Sequence, residues 1–328
     1  MVPEHDREAG ASIGAAMPDL SLVRLWFSRY WLAVWFATIF VMRLSALLLG
    51  NIGFDGRLYL AATRAWLAGQ EPWISIQEQQ FAAPPPSLLP LVPFTWLPET
   101  VGVATLMALG AVGVVATVRL LKLPWWWLFF PPFLDAAFNG NPQAVLVPLI
   151  LVGAGPVAAF LKIYALVPMI LELRWRALLV TAAALVLTAP ILPWASYLAH
   201  ARELGESLVR QTDGGMSATM VPWLIPIGVV LLVLCGRERA AWMAVPVVWP
   251  ATQFYYSTLA VPALRGASVA AAIMAVPAQG APVLAAAVLA WQARNFSIAR
   301  LKEAWLPSST GASDQVAGET RTQPSLSS

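Results

Sequence analysis

The chain has 328 residues, of which 59% are hydrophobic and 11% charged, where a soluble domain carries about 25% charge. So few charges cannot cover a water-soluble globule of this size, and disorder is excluded because it needs low hydrophobicity. One cysteine and two histidines leave no internal disulfide and no Cys- or His-rich metal site, and a formal charge of +3 without a basic stripe leaves no nucleic-acid partner. The apolar runs are continuous and rich in Leu and Ala, not alternating. They predict an all-α, polytopic membrane bundle and not a β-barrel.

In chain order, residues 1–29 read as a flexible polar leader and 30–306 as the membrane domain. The first span covers 30–49 and holds Arg43 within it. An outer loop, 50–86, follows. It contains Asp55, then an amphipathic helix over 56–69 suited to a membrane surface, and ends at Pro84-Pro85-Pro86. Apolar segments then recur at 88–97, 101–118, 123–134, 144–153, 157–173, 177–199, 221–235, 240–251, 254–264, 267–276 and 282–293. Several are too short to cross a hydrocarbon core of about 30 Å at about 1.5 Å per residue. With 27 prolines in the chain, they read as broken or re-entrant helices, which are tolerated at membrane depth where they line a cavity. Residues 307–328 read as a disordered cytoplasmic tail.

Basic residues set the orientation. Arg7, Arg24, Arg29, Arg119, Lys122, Arg174, Arg176, Arg237, Arg239, Arg265, Arg294, Arg300, Lys302 and Arg321 fall on the side of the N-terminus, against Arg57, Arg64, Arg202 and Arg210 on the other. The N-terminus is therefore expected in the cytoplasm. Asp55, the helix after it and the loop at 199–220 are expected outside a multi-pass cell-membrane protein.

A few polar residues stand out against the apolar background. Asp55 follows the first span and precedes a helix, which suits either a helix N-cap or a general base at the membrane–water boundary. Asp135 closes the run 123–134, where an acid either serves function or caps the next turn. Lys162 lies inside 157–173; it either snorkels to an interface or meets a phosphate, with Tyr164 as a neighbouring hydroxyl donor. Arg43 contacts phosphate, steadies Asp55 or snorkels. Arg57 and Arg64 are read as lipid-headgroup contacts. Arg202 and Arg210, with Glu203 and Glu206, are read as a solvated outer helix beside His200. Trp125-Trp126-Trp127 is read as an interfacial anchor, and Trp66 and Trp73 as an outer belt or a stacking platform.

The stretch Phe54-Asp55-Gly56-Arg57-Leu58-Tyr59-Leu60-Ala61-Ala62, followed by Trp66-Leu67-Ala68-Gly69-Gln70-Glu71-Pro72-Trp73, resembles the first outer loop of the family 87 glycosyltransferases, the polyprenol-phosphate-mannose-dependent mannosyltransferases. Phe81 to Pro98 is similar to that family's aromatic-x-Pro-Pro segment. Asn139-Gly140-Asn141-Pro142-Gln143 stands where the family has a Gly-Gln or Gly-Asn turn, and Leu161-Lys162-Ile163-Tyr164 is similar to its Lys-x-Tyr-Pro motif. Ala165 replaces the Pro of that motif, and Tyr255-Tyr256 replaces a frequent His-Tyr.

The resemblance covers roughly residues 30–265. It implies a C-type glycosyltransferase fold that moves a hexose, mannose first, from a polyprenyl-phosphate donor to an extracytoplasmic lipid or glycan acceptor, without metal or cofactor. It implies Asp55 as base and Lys162 with Tyr164 on the donor phosphate, where Arg43 is placed by its position in the first span. Tyr59, Asp135, Asn139, Gln143, Tyr255 and Tyr256 would then contact sugar or acceptor. A transporter, a lipid flippase or a catalytically degenerate lipid-binding relative is the alternative.

Overall fold

The computed structural model describes residues 20–50, 52–76, 79–212, 215–294 and 297–306. The leader through residue 19 and the tail over 307–328 lie outside the described residues. The fold is all-α. The described strands are two-residue pieces, β1 (Ser75–Ile76) and β2 (Gln79–Gln80), paired antiparallel in the loop that follows Leu67.

Helix α1 (Leu20–Leu48) begins at Leu20 and not at Tyr30. Residues 20–29, expected in the flexible leader, are thus helical. They contain neither Pro nor Gly, so nothing in the backbone stops the helix from extending backwards out of the apolar run. Next come α2 (Phe54–Leu67), α3 (Val92–Thr95) and α4 (Glu99–Leu120). Glu99 in the first turn of α4 and Arg119 in its last both complement the helix dipole.

The segment 123–134, expected as one apolar run, is a 3₁₀ turn over Trp125–Phe129 followed by α5 (Pro131–Phe138), because Pro131-Pro132 can begin a helix but not continue one. Then follow α6 (Gln143–Leu151) and α7 (Gly155–Leu161). The run 157–173 breaks at Lys162, whose backbone is extended (φ −147°, ψ 114°), and resumes through a 3₁₀ turn into α8 (Leu166–Leu171). The run 177–199 also divides. α9 (Trp175–Thr188) stops before Pro190, and α10 (Trp194–Gln211) starts after Pro193. The remainder is α11 (Leu224–Cys235), α12 (Arg237–Val248), α13 (Val261–Leu264), α14 (Ser268–Met274), α15 (Ala281–Ala293) and α16 (Ile298–Trp305).

Two described stretches, Tyr30–Leu48 and Glu99–Leu120, are long and apolar enough to cross a membrane by length and composition, with mean hydropathies of 1.8 and 2.2. α9, α11 and α15 are shorter apolar helices. Burial on α9 is inverted: its buried residue is Thr181, while Leu179, Val180, Val186 and Leu187 are all exposed. The same outward apolar display continues on α1 at Val41 and Met42 and on α11 at Ile227 and Val230. A water-facing surface does not carry contiguous apolar patches of this extent without a partner.

The interior holds two clusters. The larger joins α4 to α8 with α11 to α15. The smaller is built on α2, where Phe54, Leu58, Tyr59 and Leu60 meet Trp73, Phe81, Leu88 and Val103. α2 was expected to lie along a membrane surface, but half of it is packed inside the protein. Arg57 and Arg64, expected on lipid headgroups, instead donate to backbone carbonyls: Arg57 to Ile52, Arg64 to Thr95 and Leu97. Trp127 of the expected anchor packs in the core against Phe36, while Trp125 is exposed.

Candidate active site

The start of α2 is docked on the turn after α5. Gly53 N–H donates to Phe138 O (2.8 Å) and Gly56 N–H to Asn139 O (2.9 Å). The two backbones come this close because Gly56 and Gly140 face each other. A Cβ on Gly140 would lie 3.2 Å from the Gly56 Cα, and Gly140 sits at φ +66°. This contact brings Asp55 onto Asn141: Asn141 Nδ2 donates to Asp55 Oδ2 at 2.8 Å. Asn141 is itself fixed, since its Oδ1 accepts from the Gln143 backbone N–H at 2.9 Å. Behind it, Gln143 Nε2 donates to Thr258 (3.1 Å) and Tyr164 donates to Gln143 Oε1 (2.5 Å). Gly140→Ala and Gly69→Ala are each expected to cost about 1–2 kcal/mol for the left-handed backbone, and Gly140→Ala is expected to lower the thermal midpoint further than Gly69→Ala. Gly69 is also left-handed, but a Cβ there meets nothing, so the difference reports the Gly56–Gly140 contact.

Asp55 borders a hollow of about 900 Å³ at the seam between the two core clusters. Tyr59, Lys162, Tyr164, Tyr255 and Tyr256 line it as well. Lys162 is buried and does not snorkel; its Nζ lies 4.9 Å from the centre of the Tyr59 ring, within cation–π range. The break between α7 and α8 is what turns this side chain inward. Tyr164 packs against Tyr256 (4.8 Å) and Trp249 (5.6 Å), and Tyr255 stacks on Tyr256. The hollow therefore offers one carboxylate, one ammonium, several phenols and an aromatic wall.

Burial raises the Asp55 carboxyl above its usual value. The Asn141 hydrogen bond and the charge of Lys162 oppose that rise, and Asp135 adds slightly to it. Burial also raises the Tyr59 phenol well above its usual value, with help from the Asp55 charge. Tyr59 thus stays a neutral donor at physiological pH.

Other expected residues stand elsewhere. Arg43 does not reach Asp55. It makes two hydrogen bonds to Asp135 (2.6 and 3.3 Å) and lies 5.5 Å from the Phe254 ring centre. Asp135 is buried in this pair, outside the lining of the hollow, so neither a phosphate role for Arg43 nor a sugar role for Asp135 is supported there. Gln143 sits one layer behind the wall. Asn139 contributes its backbone carbonyl to Gly56, and its side-chain Oδ1 is buried with no hydrogen-bond partner among the described residues.

The outer rim is made by α10 with the strand pair. Trp73 donates to Ser196 (2.8 Å), Ser196 donates to Glu71 (3.0 Å), and His200 Nε2 is 3.7 Å from Glu71. His200 and Trp73 thus clasp α10 to the loop and do not line the hollow. Tyr197 and Gln211 on the inner face of α10 do line it, while Arg202, Glu206 and Arg210 form ion pairs on its solvated face. Among the described residues no group of three His, Cys, Asp or Glu could hold a metal ion.

Sequence reading missed Asn141, Trp249, Gln253 and Gln211. Asn141 alone had a signal, as the middle amide of Asn139-Gly140-Asn141-Pro142-Gln143. A second hollow of about 670 Å³, almost wholly apolar, adjoins the first: Leu161 and Pro142 line it, and Asn141 faces both. Comparison with known proteins finds no matching family model, no similar curated protein and no similar solved structure.

Proposed function

We propose that the chain is a polytopic membrane glycosyltransferase of the C-type kind, acting on a polyprenyl-phosphate sugar, mannose first, at the extracytoplasmic face. The observation that carries this reading is the meeting of Asp55 and Lys162 in one aromatic-walled hollow beside an apolar one. A donor with a charged phosphate, a polar sugar and a hydrocarbon tail needs that combination. The outward apolar faces of α1, α9 and α11 support residence in a bilayer.

In this reading the acceptor hydroxyl attacks the anomeric carbon and gives its proton to Asp55. The bond from that carbon to the phosphate oxygen breaks, and the phosphate leaves with the electron pair beside Lys162. Tyr59 and Tyr164 supply hydroxyls. Trp249, Tyr255 and Tyr256 provide ring faces for the sugar. Asn141 is a positioning residue, because it acts through Asp55.

The test is the purified chain in a bilayer, supplied with radiolabelled polyprenyl-phosphate mannose and a membrane lipid extract. The expected result is label on a new lipid or glycan with release of polyprenyl phosphate. Donor bound but never cleaved would leave a lipid-binding relative. Donor carried intact across the bilayer would identify a flippase, a reading to which the helix break at Lys162 is also suited.

A further inference from the structure

Three elements that wall the Asp55 hollow lead to a second polar hollow at their other ends. The 3₁₀ turn and α8 run from Tyr164 to Glu172. α12 runs from Arg237 to the Trp249 wall, and the 3₁₀ turn with α13 runs from Tyr256 to Arg265. At about 1.5–2 Å per residue, the two hollows stand roughly 12–20 Å apart at opposite ends of these elements.

This second hollow opens to solvent and is lined by Arg237, Arg239, Arg265, Glu172, Glu238 and Trp242. Glu172 is already engaged. It accepts from Trp242 Nε1 (2.6 Å) and from Arg174 Nε (2.7 Å), and Arg174 is held by the Ile150 carbonyl as well. Arg239 is steadied by the Leu289 carbonyl at 3.2 Å. The guanidinium groups of Arg237 and Arg265 make no hydrogen bond or ion pair among the described residues. With Arg174 counted, four guanidinium groups face two carboxylates here. The balance is positive, and two five-donor forks are left open.

We propose that this hollow is a binding site for a phosphate group, gripped by Arg237 and Arg265 with Arg239 behind them. A guanidinium matches phosphate geometry in a bidentate fork, and an anion supplies the missing counter-charge. The phosphate belongs either to an anionic phospholipid headgroup or to a free phosphate ester. The chemistry is shared, and separate arms of one experiment tell the two sources apart.

The experiment uses the full chain purified in neutral detergent. One arm titrates inorganic phosphate. The other titrates mixed micelles of phosphatidylglycerol in phosphatidylcholine and counts retained lipid by native mass spectrometry. The parent is expected to bind in at least one arm. R237Q/R265Q is expected to weaken that binding at least ten-fold, and Arg265→Gln, at an exposed position that tolerates change, to weaken it several-fold. Arg119→Gln removes an equally exposed charge elsewhere and is expected to change nothing. Binding confined to the lipid arm identifies a headgroup, and binding in the phosphate arm, with or without the lipid arm, identifies a site open to free phosphate groups. The proposal is overturned if the parent binds in neither arm, if both variants bind like the parent, or if Arg119→Gln loses as much. The phosphate arm is independent of hexose transfer, so failure here and failure of the glycosyltransferase reading are separate results.

Discussion

Asp55→Asn is expected to lower hexose transfer by about 10²–10⁴-fold, the range a positioned base contributes, while donor binding is unchanged. The amide keeps the shape and can still accept from Asn141, but it cannot take a proton. The thermal midpoint separates this loss from misfolding. A carboxyl raised by burial stabilises the fold fully below the ordinary carboxylate range, and that contribution is lost as pH rises through the raised value. At neutral pH the amide lifts the cost of ionising a buried acid, so the variant is expected to melt no lower than the parent. The same ionisation sets the pH profile. Transfer should climb with pH as Asp55 deprotonates, with its acid limb above the usual carboxylate range. Asn141→Ala removes the hydrogen bond that opposes the rise, so it should move that limb to higher pH. An unmoved limb, measured as kcat/KM across pH, would remove Asp55 from the base role.

Lys162→Met is expected to weaken polyprenyl-phosphate binding by ten-fold or more, the loss of one charge-assisted contact of about 1.5–3 kcal/mol. Met matches the length of the stem and leaves no unpaired charge against Tyr59, so the fold should hold. Removing the ammonium also removes a charge that lowers the Asp55 carboxyl, so the acid limb should shift upward in this variant too. Lys162→Arg keeps the charge and should recover part of the binding. A dissociation constant for labelled polyprenyl phosphate equal to the parent's would mean that Lys162 does not meet the donor.

Residues that break an apolar pattern were the readable ones. Asp55, Lys162 and the tyrosines at 59, 164, 255 and 256 are polar islands among Leu, Ala and Val, and all of them line one hollow. Pairing was not readable. Arg43 and Asp135 each looked like free ionisable groups, because nothing in local periodicity relates two helices 92 positions apart. The break at Lys162 was hidden for a different reason. No Pro or Gly marks it, and the energy that holds Lys162 extended comes from its tertiary surroundings. The first turns of α1 were concealed by Arg24 and Arg29, which interrupt hydropathy without interrupting a helix. Asn141 needed the left-handed Gly140 beside it before its amide could be aimed at Asp55.

The inverted burial of α9 changes which mutations the chain should forgive. In a protein dissolved in water the exterior is where a lysine is most easily accepted and the interior where it is refused. On the proposal that α9 faces lipid, a helix with threonine within and Leu179, Val180, Val186 and Leu187 without leaves evolution free to shuffle one aliphatic for another along that rind, and a single charge there is the substitution it must reject.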